Sequence, residues 1–206
     1  MIIAILGTGH MGRTLGGGLV RAGHQVVYGS RIPGGASDLP GEVFSHEEAI
    51  ARGDLVLNAL AAARTLDVLP GLAGALAGKV LIDIGNAVDE RMDLIFPDSS
   101  LGERIQHALP ETRVVKTLNT VGGPIGADPS LLPAATNVFL SGDDPAAKAQ
   151  VSGLLADLGW APERQIDLGG IATARAAEHY FLLFASLMQA LRTPAFNIAI
   201  VRGDAE

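Results

Sequence analysis

Met1-Ile2-Ile3-Ala4-Ile5-Leu6-Gly7-Thr8-Gly9-His10-Met11-Gly12 decides how the whole chain is read. The apolar run up to Leu6 has strand length and no polar alternation, the pattern of a strand buried on both faces of a parallel sheet. Gly7 to Gly12 then spells G-x-G-x-x-G, and Arg13 to Ala22 carries apolar residues at Leu15, Leu19, Val20 and Ala22 with helical spacing. Gly23 reads as a helix C-cap and Gln25 to Gly29 as a second short strand. Strand, glycine loop, helix and strand in this order form the dinucleotide-binding unit. Gly7 permits the turn off the strand, Gly9 lets the backbone approach a pyrophosphate, and Gly12 lets the helix pack close to the strand. The helix N-terminus then offers free N–H groups and its positive dipole end to phosphate, through His10 and Met11.

The end of the second strand selects the cofactor. An NAD site places Asp or Glu about 20 residues past the glycines, to hold the ribose 2′-hydroxyl. This chain has Tyr28-Gly29-Ser30-Arg31 there, and no acid before Asp38. Ser30 supplies a hydroxyl and Arg31 a planar cationic fork suited to a phosphate monoester, with Thr8 as a further hydroxyl. A solvated loop arginine is the bland alternative; the position fixed by the motif favours NADP(H).

Composition narrows the remaining classes. The 206 residues fit one domain, or one with a short appendage, and at 48% hydrophobic and 18% charged they hold ample core material. The absence of cysteine excludes disulfides, thiolate catalysis and cysteine-ligated metal. A formal charge of −7 with no basic stripe argues against nucleic acid. The longest nearly unbroken apolar stretch, Tyr180 to Leu191, falls short of the ~20 residues that span a bilayer. A start on a core strand leaves no room for a signal peptide, so the expectation is a cytoplasmic protein with no membrane partner.

Further along, Ile32 to Pro40 is loop by composition, and Glu42 to Phe44 a short strand. Ser45 and Glu48 look like a capping box whose helix ends by Gly53. Strands are expected over 54–60, 79–84, 113–118 and 137–141, and a last one before Leu168. Helices are expected over 65–77 despite Pro70, over 100–109, from Asp144 to about Leu158, and over 172–191, with another turn or two at 196–201. Asp143 and Asp144 before Pro145 read as a helix cap rather than a metal pair. His24, His46, His107 and His179 are scattered and read as surface or structural.

Alternating strands and helices predict a Rossmann-type, doubly wound, mostly parallel sheet with a C-terminal helical extension. Residues 1–168 form the dinucleotide-binding part and 169–206 the extension. Ligands of such sheets sit beyond the strand C-terminal ends. Ala59-Leu60-Ala61, Asn86-Ala87 and Asn119-Thr120 end three strands and would share one crevice with Gly7 to Gly12. Turn chemistry explains either asparagine taken alone; their common crevice favours ligand contact.

Together with Gly7 to Gly12 and Tyr28 to Arg31, the segments Val115-Lys116-Thr117-Leu118-Asn119-Thr120, Gly142-Asp143-Asp144 and Ile166-Asp167-Leu168-Gly169 through Arg175 and Glu178 carry a resemblance. The chain resembles the deazaflavin-dependent NADP oxidoreductases (coenzyme F420:NADPH reductases), and is similar to the cytosolic NADPH domain of STEAP metalloreductases. The resemblance implies hydride exchange between NADP(H) and a small-molecule acceptor, a deazaflavin (coenzyme F420) or flavin ring. It implies that Thr8, Ser30 and Arg31 grip the 2′-phosphate and that the backbone of His10 and Met11 binds pyrophosphate. Leu60 and Ala61 would pass along the cofactor, and Asn86, Ala87, Asn119 and Gly123 would surround the nicotinamide. The sequence departs from the family's habit in Ala61-Ala62-Ala63-Arg64 and in lacking a second base between Ile32 and Ser37. With the cofactor carrying the chemistry, no catalytic side chain is expected. The alternative is a non-enzymatic NADP(H)-binding sensor or partner-docking module.

The last helix is apolar on two sides. Ala176, Tyr180, Leu183, Leu187 and Leu191 make one stripe; Phe181, Phe184, Met188 and Ile198 add another. One subunit has few elements left to cover both, and the resembling family pairs its C-terminal helices. A two-fold homodimer is expected, with residues 172 to 201 at the contact and walling the acceptor pocket.

Overall fold

The computed structural model describes residues 1–35 and 38–203. Strand β1 (Ile2–Leu6) leads through the glycine loop to helix α1 (His10–Arg21) and strand β2 (Gln25–Gly29). Gly23 ends α1 with φ +88°, its N–H on Val20 O and that of His24 on Leu19 O, a left-handed cap that satisfies the last carbonyls. Strand β3 (Val43–Phe44) precedes α2 (His46–Arg52), whose Ser45 and Glu48 close a reciprocal capping box. Then come β4 (Leu55–Asn58), α3 (Thr65–Val68), α4 (Ala73–Leu76) and β5 (Val80–Asp83). Helix α5 (Leu101–Ala108) is capped by Ser100, and β6 (Arg113–Lys116) leads to α6 (Gly123–Ala127). Strand β7 (Val138–Leu140), α7 (Pro145–Asp157), β8 (Gln165–Asp167) and α8 (Ala174–Leu191) complete the order.

Six parallel strands form one sheet in the order β3-β2-β1-β4-β5-β6. The direction of travel reverses between β1 and β4, which opens a crevice beyond their C-terminal ends. Alternation along β1 sorts the core into two layers. Ile3 and Ile5 face Leu15, Leu19, Leu154 and Trp160 on one side, while Ala4 and Leu6 face Ile50, Leu72, Leu101 and Ile105 on the other.

Four sequence expectations need correction. The helix expected over 65–77 is broken into α3 and α4 by a 3₁₀ turn at Leu69–Leu72, because Pro70 has no N–H to continue the ladder. Residues 119–124, which read as a loop leaving the strand before them, end in α6, which starts at Gly123 and packs on α1; a Cβ on Gly18 would lie 2.8 Å from Ala127 O. Strands β7 and β8 do not extend the main sheet but pair with each other, and just past β7 Ser141 exchanges backbone bonds of 2.8 and 3.0 Å with Lys116 of β6. No turn of helix forms at 196–201. Arg192 ends α8 in a left-handed conformation (φ +55°), and the chain returns as a tail tied to Asn137. Asn137 N donates to Ile198 O at 3.0 Å, and Ile200 N donates to Asn137 Oδ1 at 2.7 Å.

Candidate functional site

The ends of β1, β4, β5 and β6 open into a cleft of about 640 Å³. Its lining includes Gly9, His10 and Met11 at the start of α1, Leu60 and Ala61 after β4, Asn86 after β5, and Asn119 and Gly123 after β6, with Gly123 beside the Met11 side chain. Eight of the residues expected from the sequence are thus brought together. The cleft also takes in Ala59, Gly85, Val121 and Pro124, with Phe181, Phe184 and Pro194 as its outer wall. A larger open groove of about 970 Å³ lies elsewhere, between α5 and the start of α7, and contains none of the expected site residues.

The glycines divide by what surrounds them. Gly7 has φ +107°, and a Cβ there would meet Ala59 O at 2.6 Å, so both conformation and space demand glycine. On Gly12 a Cβ would meet Gly7 O at 2.5 Å, the close helix–strand approach expected of the third glycine. Gly9 differs: nothing lies within 4 Å of where its Cβ would stand. It caps α1 with no side-chain bond, so the N–H groups of the first turn point to the cleft unassisted. Open space above an uncapped helix start is the kind of surface that suits a phosphate group.

Thr8, Ser30 and Arg31 lie at the rim beside the cleft rather than on its lining. In the sheet Leu6 stands opposite Gly29, and Gly7 N donates to Gly29 O at 3.0 Å, so Thr8 and Ser30 leave neighbouring strand ends. Ser30 Oγ accepts from Ile32 N at 3.2 Å, and Arg31 is exposed. His46, whose place here no local pattern announces, packs behind this corner; its Nδ1 is buried, without a partner, 2.9 Å from where a Gly29 Cβ would lie. Burial pulls the imidazole below its ordinary pKa and Arg31 pulls the same way, against Glu47.

At the other end, Asn86 Nδ2 donates to Asn119 O at 2.7 Å and Asn119 Nδ2 donates to Asn86 Oδ1 at 2.9 Å. Neither bond uses Asn119 Oδ1. Leu118, with φ +57°, turns the chain so that Asn119 reaches the cleft, a left-handed conformation that costs a branched residue about 1–2 kcal/mol. Ala87 does not line the cleft; it is 2% exposed and belongs to the core around Leu101. The outer wall is aromatic, with Phe184 stacked on Phe196 of the tail at 4.9 Å and on Phe181 at 6.0 Å.

Beneath the cleft lies a buried charge cluster that the strand pattern alone did not reveal. Lys116 Nζ lies 2.7 Å from Asp83 and 2.7 Å from Glu178, all three almost fully enclosed, and it also donates to Gly85 O. Asn58 Nδ2 donates to Asp83 at 2.8 Å, while Glu178 accepts from Leu101 N and Gly102 N at the start of α5. Desolvation opposes the Lys116 charge, but the two carboxylates outweigh it and hold the ammonium above its ordinary pKa. The signal was present in the sequence as Asp83 and Lys116, charges that follow the apolar pairs Leu81-Ile82 and Val114-Val115 at the C-terminal ends of their strands.

Asp144 caps α7 through Ala147 N at 2.8 Å, as expected. Among the described residues, no cluster of three or more His, Asp or Glu could hold a metal, and no helix is long and apolar enough to cross a membrane.

Comparison with known proteins places this geometry. Residues 2–87 match the family model described as NADP oxidoreductase, coenzyme F420-dependent. The solved structure of a candidate F420-dependent NADP reductase from Arthrobacter sp. FB24 superposes with a TM-score of 0.88 at 39% identity, covering 97% of this chain and 99% of that one. Metalloreductase STEAP3 of Rattus norvegicus is 31% identical over 180 residues, 85% of this chain and 35% of its own. The F420-dependent NADP reductase of Methanocaldococcus jannaschii is 28% identical over 141 residues, 66% of this chain and 62% of its own. The chain thus spans little more than a third of the metalloreductase it matches.

Proposed function

This chain belongs to the F420-dependent NADP oxidoreductase family, and on that premise we propose that it moves hydride between NADP(H) and a flat deazaflavin or flavin-type acceptor. The observation that carries the reading is the empty space over Gly9 above the uncapped start of α1, opening into the cleft.

In this reading Thr8, Ser30 and Arg31 hold the 2′-phosphate, and the N–H groups of His10 and Met11 hold the pyrophosphate. Leu60 and Ala61 flank the dinucleotide. Asn119 Oδ1, left over from the reciprocal asparagine pair, accepts from the nicotinamide carboxamide, with Asn86, Gly123 and the main chain of Ala87 nearby. Bound NADP(H) supplies the hydride chemistry. The protein's part is to bind, to stack and to exclude water, for which the Phe181, Phe184 and Pro194 wall provides an apolar face for the acceptor ring.

Residues 1–168 would then serve the cofactor, and 169–206 the acceptor and a second subunit. The outer face of α8 supports the homodimer: Leu183 is 54% and Leu191 55% exposed on the single chain. The test is NADPH oxidation followed optically with deazaflavin, flavin and ferric acceptors in turn. Turnover with a deazaflavin or flavin is expected. Tight NADPH binding with no turnover on any acceptor would replace the enzyme by a binding module that senses or docks.

A further inference from the structure

Between Tyr28 and Glu42, Arg31 is the single basic residue, yet a second guanidinium reaches the same corner from α1. Arg13 Nε donates to Thr8 O at 2.9 Å, which fixes the group beside the first loop. Its terminal nitrogen pairs with Asp38, carried on the loop that begins with Ser30 and Arg31. The pair bridges the two loops that leave β1 and β2. Asp38 is 69% exposed at the side chain and Arg13 39%, and an ion pair this open to water contributes little stability, so a better anion can displace it. A phosphate dianion presents more charge and more acceptor oxygens to a guanidinium fork than a carboxylate does.

We infer that Arg13 is the second cation of the 2′-phosphate site and that Asp38 is its resident anion, a carboxylate that NADP(H) displaces on binding. The inference rests on the NADP(H) reading above. A dinucleotide with a 2′-hydroxyl leaves the Arg13–Asp38 pair in place; one with a 2′-phosphate exchanges one anion for another on Arg13. Asp38 therefore competes with the 2′-phosphate, and removing its charge frees the site.

Calorimetry with 2′,5′-ADP and with ADP, which differ in where the second phosphate sits, tests this on the full chain. Arg13→Met is expected to weaken 2′,5′-ADP about tenfold, the worth of one charge-assisted contact, and ADP less than about twofold. Asp38→Asn is expected to strengthen 2′,5′-ADP several-fold without changing ADP, and to lose that gain when combined with Arg13→Met. Equal losses for both ligands in Arg13→Met would make Arg13 a brace of the Thr8 loop and overturn the inference. So would weaker 2′,5′-ADP binding in Asp38→Asn. Urea unfolding of each variant separates loss of fold from loss of site. Arg31→Ala is the control for the underlying reading: if wild-type protein does not distinguish the two ligands, the NADP(H) assignment itself fails. If Arg31 discriminates while Arg13 and Asp38 do nothing, the present inference alone falls.

Discussion

The Lys116 ammonium lies 2.7 Å from the Glu178 carboxylate, joining the end of the central sheet to the helix that walls the cleft. Glu178 also caps α5, so one side chain fixes three elements. Lys116→Met would leave Asp83 and Glu178 buried without their cation, a loss of about 3–5 kcal/mol. Urea unfolding at neutral pH checks this; a midpoint close to wild type would show that the cluster is not a stabilising tie. The raised folded pKa of Lys116 also sets the sign with pH. Its contribution is complete below the unfolded lysine pKa and declines as pH rises toward the folded value.

Gly7 and Gly9 should separate folding from binding. Gly7→Ala forces a Cβ to 2.6 Å from Ala59 O at φ +107°, so it is expected to lower the melting temperature. Gly9→Val enters open space and is expected to fold as wild type but to lose NADPH, because the side chain occupies the phosphate cradle. Unchanged NADPH affinity in Gly9→Val would reduce the loop to a plain turn.

Arg31→Ala is expected to weaken NADPH by about 1.5–3 kcal/mol, roughly ten- to a hundredfold, with NADH nearly unaffected. Fluorescence titration with both cofactors decides the matter, and parallel losses would remove the 2′-phosphate assignment.

His46 predicts an acid-side dependence of stability. Burial holds its folded pKa below the ordinary value, with Arg31 adding to the effect and Glu47 opposing it. The unfolded chain therefore binds the proton first as pH falls. Stability is complete above about pH 6.5 and declines below it, toward the folded pKa. Urea midpoints between about pH 7.5 and 5.5 should fall in wild type and fall less in His46→Gln.

The homodimer is best probed at Leu183. Phe184 is the poorer choice, because it is buried in the Phe181–Phe184–Phe196 stack and a charge there would disturb the fold. Leu183→Asp changes an exposed position on the same helix. Light scattering of wild type is expected to give twice the 21.2 kDa chain mass, and Leu183→Asp the single mass; a monomeric wild type would exclude the dimer.

The parallel sheet and the glycine loop were legible because each depends on local pattern. Apolar strand runs, a glycine triplet and cap residues such as Ser45, Ser100 and Asp144 act within a few residues of themselves. Eight expected site residues meet in the cleft for the same reason, since strand ends in a parallel sheet fall on one edge. What stayed hidden is nonlocal. Nothing near Arg13 announces its pairing with Asp38, and Lys116 and Glu178 meet from 62 positions apart in sequence (178 − 116). Whether Ala87 faces cleft or core depends on how the strand end turns, which spacing does not encode. The turn expected at 196–201 does not form because Phe196 stacks on Phe184 and the backbone at Ile198 and Ile200 bonds to Asn137 rather than to itself.

The cleft is bounded by Met11 on the first helix and by Phe181 and Pro194 near the other end of the sequence. A dinucleotide seated between them would act as a clasp between segments at least 170 residues apart in sequence (181 − 11). Local fraying at either end would then open the binding surface, so occupancy must oppose it at both ends together. At a hundredfold excess over its dissociation constant such a ligand adds about 2.7 kcal/mol to global stability. The signature is slowed amide exchange in α1 and in α8 by the same factor, from one molecule that touches each helix at only a few atoms.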